Sequence, residues 1–475
     1  MCHLWITSVA LWMLPMVVNG EEIIHTRAPL FPLKPFIVVW NAPTEQCQRL
    51  YKVDLDLKVF NILTNPNETL SGSSVTIFYH TDLGYYPHID DNGTSINGGV
   101  PQNESLIKHL MKAKSDIEHA IAMKKFHGLG VIDWENWRPQ WDRNWGSKVI
   151  YRNKSLELVR KLHPQWSEIQ TKKVAKEEFE NAGKSFMNNT LSLAEDIRPN
   201  GLWGYYLYPD CYNYDYKNHP DRYTGKCPAI ESLRNDQLLW LWKESTALYP
   251  SIYLEPMLKS SPNALKFVHY RVKEAICIAS MARQDYALPV FVYARPYYTY
   301  TLDALTEDDL VNTIGESAAL GAAGVIFWGS IRYASSNVNC LAVKNYVNGL
   351  LGHYIINVTS AAKLCSEVLC KKNGRCIRKN SESDAYLHLP SHSFKIWFNI
   401  SETERRVVVE GNLKQEDIAA MKEKFTCQCY QGWIGLFCEQ PQGPRNCFQS
   451  AGAQDWWVGH VMMTYLQVHF LHLLI

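Results

Sequence analysis

Between about Pro35 and Gly352, short apolar runs alternate with longer amphipathic stretches. The runs cover residues 36–40, 75–79, 129–133, 202–207, 252–254, 290–293 and 325–328. Leu129-Gly130-Val131-Ile132 shows no in–out alternation, which marks a strand covered on both faces. Between the runs, residues 106–123, 167–197, 235–248, 264–281 and 307–320 carry the 3.6-residue period of helices. Strands separated by helices predict βα units on a parallel sheet, and about seven strands is close to the number that closes a barrel. The expected fold class is therefore α/β, with a TIM-like (β/α) barrel over residues 35–352.

The pattern changes at both ends. Residues 1–20 hold an apolar run from Leu4 to Val18, too short for a span and followed by Glu21 and Glu22, and read as a signal peptide. Sequons at Asn67, Asn92, Asn103, Asn153, Asn188, Asn357 and Asn399 agree with export and glycosylation. Residues 442–475 form a linker and an apolar tail with no Lys or Arg behind it. Ser450, Ala451 and Gly452 precede that tail, which favours a removed glycosylphosphatidylinositol (GPI) anchor signal over a spanning helix. A secreted or weakly inserted tail is the alternative.

Composition shifts near Cys365. Cys365-x4-Cys370-x5-Cys376, then Cys427-x-Cys429-x8-Cys438 with Gly432 and Gly435, resembles an EGF-like module with an enlarged middle loop, placed at 353–441. That resemblance implies the pairs Cys365–Cys376, Cys370–Cys427 and Cys429–Cys438. Zinc is disfavoured, because paired C-x2-C spacing is missing and export favours disulfides. His388 and His392 flank Pro390 and read as a solvated loop, so no metal or other cofactor is expected.

A chain of 475 residues with formal net charge +1 has no global field to attract a polyanion, and nucleic acid is an unsuitable partner. An acidic ligand would have to be gripped by local Arg and Lys. Aromatic residues make up 12% of the chain, and many Trp and Tyr fall in polar surroundings, where flat rings can stack on sugars.

The candidate chemistry lies just past the third run. Asp133 and Glu135 are two residues apart, so period-two geometry sends both side chains to one side, roughly 6–7 Å apart at the backbone. Two carboxyls so close in a cleft do not ionise independently; one keeps its proton near neutral pH and can serve as a general acid. Glycosidic cleavage needs a proton for the leaving oxygen and a negative charge beside a cationic transition state. By itself a D-x-E pair is more often a solvated strand end or a calcium ligand.

The neighbourhood changes that weighting. Asp133-Trp-Glu-Asn-Trp-Arg-Pro-Gln-Trp141, Trp203-Gly-Tyr-Tyr-Leu-Tyr-Pro-Asp210-Cys211-Tyr-Asn213, Ala247-Leu-Tyr-Pro-Ser-Ile-Tyr253 and Gly315-Glu-Ser-Ala-Ala-Leu-Gly321 are similar to motifs of the animal hyaluronidases, nearest their sperm-surface and type-4 branch. The similarity runs from about residue 35 to Cys438. It implies a distorted barrel and a retaining endo-β-N-acetylhexosaminidase acting on hyaluronan, a glycosaminoglycan, with chondroitin as a second substrate. In this family the substrate's own acetamido oxygen replaces an enzyme nucleophile.

By motif position, the resemblance makes Glu135 the acid and then the base. Asp133 would orient the acetamido group and Tyr206 would support it. Tyr86, Tyr253 and Trp328 would line the sugar cleft, and Tyr253 goes with hyaluronan cleavage in the family. It also implies disulfides Cys47–Cys340 and Cys211–Cys227, leaving Cys277 as a buried thiol. Arg138 and Arg271 are read equally as partners of the carboxylates or as contacts for uronate. The segment Arg295-Pro-Tyr-Tyr-Thr-Tyr-Thr301 departs from the relatives and is expected to alter a cleft wall. The rival reading is a surface adhesion protein that binds a glycosaminoglycan without cutting it.

Overall fold

The computed structural model describes residues 24–400 and 405–442. The expected signal peptide and the apolar tail lie outside them. Among the described residues no helix is long and apolar enough to cross a membrane.

Seven parallel strands build the first unit: β1 (Ile37–Asn41), β2 (Ile62–Thr64), β3 (Val75–Tyr79), β4 (Leu129–Asp133), β5 (Leu202–Tyr205), β6 (Phe291–Ala294) and β7 (Gly324–Trp328). They pair in the order β2-β1-β7-β6 and β3-β4-β5. Residues 248–252 join these sheets through single bridges, Leu248 to Val290, Ser251 to Tyr293 and Tyr249 to Tyr206. This stave, the sixth in chain order, thus begins earlier than the expected 252–254. It is also broken, because Pro250 has no N–H to give to a ladder. The result is a distorted TIM-like barrel.

Sequence parity divides its interior from its shell. Ile37, Val39, Val75, Ile77, Leu129, Val131, Leu202, Tyr249, Phe291, Tyr293 and Ile326 form one buried cluster inside the barrel. The intervening Val38, Trp40, Phe78, Ile132, Trp203, Val292, Val325 and Phe327 join a second cluster facing the helices. Both faces of every stave are therefore apolar, which explains the unbroken hydrophobic runs. Gly130 belongs to the outer file, and a Cβ there would lie 2.4 Å from the Trp203 ring.

Helices α1 (Leu106–Ala120), α2 (Val149–Leu162), α3 (Glu168–Ile197) and α4 (Pro262–Ala282) cover this outer face. Ser105 and Ser167 cap α1 and α3 by accepting the backbone N–H of Lys108 and Gln170. The expected helix over 235–248 is instead two short helices, Ala229–Gln237 and Leu239–Glu244, and its last residues lead into the sixth stave.

Between β2 and β3 no backbone ladder is found among the described residues. A side chain spans the gap. Buried Asn65 donates through Nδ2 to the carbonyls of Val75 at 2.7 Å and Thr69 at 2.8 Å. Its Oδ1 accepts the N–H groups of Ser74 at 3.0 Å and Val75 at 3.1 Å. One amide thus takes the place of a strand neighbour. The disulfide Cys47–Cys340 ties the helix after β1 to the helix after β7, and Cys211–Cys227 pins the loop after β5.

The C-terminal module begins on a helix it shares with the barrel, α5 (Gly352–Val368), which carries Cys365. Strands β8 (Gly374–Arg378) and β11 (Phe425–Cys429) pair antiparallel, held by Cys365–Cys376, Cys370–Cys427 and Cys429–Cys438. The enlarged middle loop is itself folded, as hairpin β9 (Phe394–Ile400) with β10 (Arg405–Gly411) and a helix over Gln415–Lys424. Buried Arg378 grips Glu316 of the barrel, which also accepts from His269 Nδ1 at 2.7 Å. Cys277 is disulfide-bonded and only partly buried, not the free buried thiol expected.

Replacing Asn65 by Leu, similar in size, orphans the buried Val75 N–H, at about 1–3 kcal/mol, and the part-buried Ser74 N–H. A loss of about 2–4 kcal/mol in the urea unfolding free energy is expected, with an unchanged slope.

Candidate active site

The inward file of each stave ends, at its carboxyl end, in a polar or aromatic side chain. Asn41 ends β1, Tyr79 ends β3, Asp133 ends β4 and Trp328 ends β7. Tyr206, Tyr253 and Arg295 continue the inward files of β5, of residues 248–252 and of β6. This is the end of a (β/α) barrel on which active sites are built. The β3–β4 register sets Tyr79 directly opposite Asp133.

The two carboxylates occupy unlike surroundings. Glu135 is half exposed, with Oε2 3.4 Å from the Arg138 guanidinium. The Glu135 carbonyl accepts from Arg138 at 2.9 Å and from the Lys148 ammonium, which also donates to the Asn136 carbonyl at 3.2 Å. Two cations therefore hold the Glu135 backbone. Burial, with Arg138 beside it, lowers the Lys148 amine to about 8. Asp133 lies deeper. Burial, followed by the negative charge of Glu135, pushes its carboxyl up to about 8, against the pull of Arg138. The retained proton thus sits first on Asp133.

An aromatic wall faces them. Trp328 Nε1 donates to the Tyr79 hydroxyl at 2.9 Å, which fixes the indole plane. Burial, aided by Asp133, Asp82 and Glu135, raises the Tyr79 phenol to about 12, so it stays neutral. Tyr253 stacks on Trp328 with centroids 6.1 Å apart and 23° between planes, and Tyr206 lies 6.1 Å from Tyr253. Tyr206 donates to Ser251 Oγ at 3.3 Å and, chiefly through burial, its hydroxyl is held far above the usual range. Tyr293 donates to Asn41 Oδ1 at 3.1 Å beneath Tyr206.

Asp133, Glu135, Tyr206, Tyr253 and Trp328 therefore converge on one rim, and Tyr86 does not. Its ring is fully buried, packed on Trp134 at 4.6 Å and Trp137 at 5.2 Å, and its hydroxyl accepts the Trp137 N–H. Instead of lining the cleft, Tyr86 supports the loop that carries Glu135. The two arginines also separate. Arg138 pairs with Glu135, whereas buried Arg271 is turned to Asp210, Asn213 Oδ1 and the Ser251 carbonyl. Sequence reading passed over Tyr79, although its place as the last residue of an apolar run marked it as a rim position. In the loop 295–301, Tyr297 and Tyr298 are buried and Tyr300 projects into solvent.

A cavity of about 860 Å³ lies elsewhere, lined by Glu45, Arg49, Asp54, Lys58 and Glu68, and contains none of the rim residues.

Since the Asp133 carboxyl titrates higher in the folded chain than in the unfolded one, near 4, folding takes up a proton between those values. Its contribution to stability therefore falls as pH rises from about 4 to about 8, and is constant outside that window. Asp133→Asn is expected to be more stable than the wild type at pH 8, by about 1 kcal/mol or more. The difference shrinks towards pH 4, as read by urea unfolding at both values.

The hyaluronidase family model matches residues 25–442 of the chain. A hyaluronidase of Echis ocellatus is 62% identical over 440 residues, covering 93% of this chain and 98% of that protein. Hyaluronidase-1 of Bitis arietans is 61% identical over the same shares. Among solved structures, bee venom hyaluronidase in complex with a hyaluronic acid tetramer is 36% identical with a TM-score of 0.62, covering 67% of this chain and 98% of that one. With the fold, the acid pair and these likenesses together, the chain belongs to the hyaluronidase family of glycoside hydrolases.

Proposed function

We infer that the protein is an endo-β-N-acetylhexosaminidase cutting hyaluronan, and chondroitin as a second substrate, by a retaining mechanism assisted by the substrate. The observation that carries this is the unequal acid pair: Asp133 is buried and holds a proton up to about 8, beside a solvent-facing Glu135. The pair shares one proton. When the acetamido N–H docks on Asp133, it donates to that oxygen and favours the carboxylate form, so the proton passes to Glu135. Glu135 then protonates the leaving glycosidic oxygen while the acetamido oxygen attacks the anomeric carbon. Tyr206 supports the acetamido group, and Tyr253 and Trp328 give the sugar its flat wall. In the second half, Glu135 takes a proton from water, which opens the cyclic intermediate.

Five disulfides among the described residues fit an oxidising, extracellular setting. We place the mature protein outside the cell, glycosylated at some of its sequons. The small residues Ser450, Ala451 and Gly452 before the apolar tail support a GPI anchor at the cell surface.

Glu135→Gln is expected to be secreted and folded, with hyaluronan depolymerisation down about 10³-fold or more, followed by polymer length on size exclusion. Normal turnover in that variant removes Glu135 from the mechanism, and unchanged polymer with the wild type at acid and neutral pH supports the adhesion reading. For the anchor, a phosphoinositide-specific phospholipase is expected to release the protein from cells; retention on the membrane contradicts it.

A further inference from the structure

A polymer that alternates N-acetylhexosamine with uronic acid brings a carboxylate beside every sugar that the acid pair can cut. Most cations near the rim are already engaged. Arg138 pairs with Glu135, Arg143 with Asp210 and Glu231, and Arg271 with Asp210; Lys148 is spent on two backbone carbonyls. Arg295 is different. It follows β6 in the inward file after Phe291 and Tyr293, which sets it at the rim. Its guanidinium carbon lies 5.1 Å from the Trp328 ring centroid and 5.8 Å from that of Tyr253. Among the described residues no carboxylate lies within ion-pair distance of it, and its buried Nε has no hydrogen-bond partner.

A half-buried guanidinium without a counter-charge is costly, and two aromatic rings and the Tyr333 hydroxyl beside it compensate only in part. The planar head that lies over those rings keeps paired N–H groups in the geometry a carboxylate accepts, which a lysine cannot present. The rings beneath it belong to the wall assigned to the N-acetylhexosamine, so its charge falls next to that sugar. We propose that Arg295 recognises the uronate carboxylate adjacent to the cleaved N-acetylhexosamine, and so selects anionic glycosaminoglycan over neutral polymers of the same amino sugar. This rests on the reading of Asp133 and Glu135 as the acid pair. It assigns Arg295 to substrate recognition, leaving bond cleavage to those two residues.

The test compares Arg295→Met, Arg295→Lys and wild type on hyaluronan and on hyaluronan whose carboxyls are methyl-esterified. Arg295→Met is expected to raise KM for hyaluronan about 10- to 100-fold with kcat little changed, as for loss of one charge-assisted contact. On the ester, wild type already shows the higher KM and the Met variant makes it no worse. Arg295→Lys recovers part of the loss on hyaluronan alone. If Arg295→Met does not fold, Arg295→Gln, which keeps a polar head, enters the same comparison. Equal losses on charged and esterified polymer, or an unchanged KM on hyaluronan, overturn the proposal. Failure of the acid-pair reading would show separately, as retained turnover in Glu135→Gln.

Discussion

The structure depends on the two-residue period of its parallel strands. Every second side chain enters the barrel, and successive inward positions climb from the closed, apolar end to the open rim. Leu129, Val131 and Asp133 form one such file; Ile37, Val39 and Asn41 form another; Phe291, Tyr293 and Arg295 a third. Apolar packing in the lower layers holds the register, and that register decides which side chains meet at the top. A one-residue slip of β4 would send Asp133 into the helix-facing layer and Ile132 into the site. Stability and chemistry are therefore set by the same alternation, at different heights in one barrel.

Height in the file also sets the acid–base difference. Asp133 ends the strand proper, so the barrel wall strips water from it, whereas Glu135 lies two residues further on and stands half exposed. Arg138 and Lys148 hold the Glu135 backbone, and Tyr86, wedged against Trp134 and Trp137, holds the loop from beneath. Beside this stiff loop, the Trp328–Tyr79 hydrogen bond fixes the opposite wall.

Much of this was legible in the chain itself. The apolar runs located six of the seven strands, because each of those is buried on both faces, and the D-x-E at the end of one run marked the chemistry. Roles for Tyr206, Tyr253 and Trp328 came from likeness of motif. What stayed hidden depends on contacts distant in sequence. The three-residue β2 is too short to show a period, and the stave at Pro250 is interrupted where a strand pattern should be continuous. Asn65 closes a gap with a side chain, which no backbone pattern announces. Tyr86 looked like a cleft residue because its motif lies beside the cleft; only the packing of Trp134 and Trp137 shows that it sits underneath. The ion pairing of Arg138 and Arg271 also required the fold, since Asp210 takes one and Glu135 the other.

The central claim is that the pair's proton rests on Asp133 before substrate arrives. Carbon-13 NMR of the aspartate carboxyls, with Asp133→Asn to assign the resonance, reads that directly. The account predicts a resonance that is still protonated at pH 7, titrates near 8, and moves to lower pH when Glu135 is replaced by Gln and its charge is lost. An Asp133 carboxyl already ionised at pH 5, and indifferent to Glu135, would contradict it.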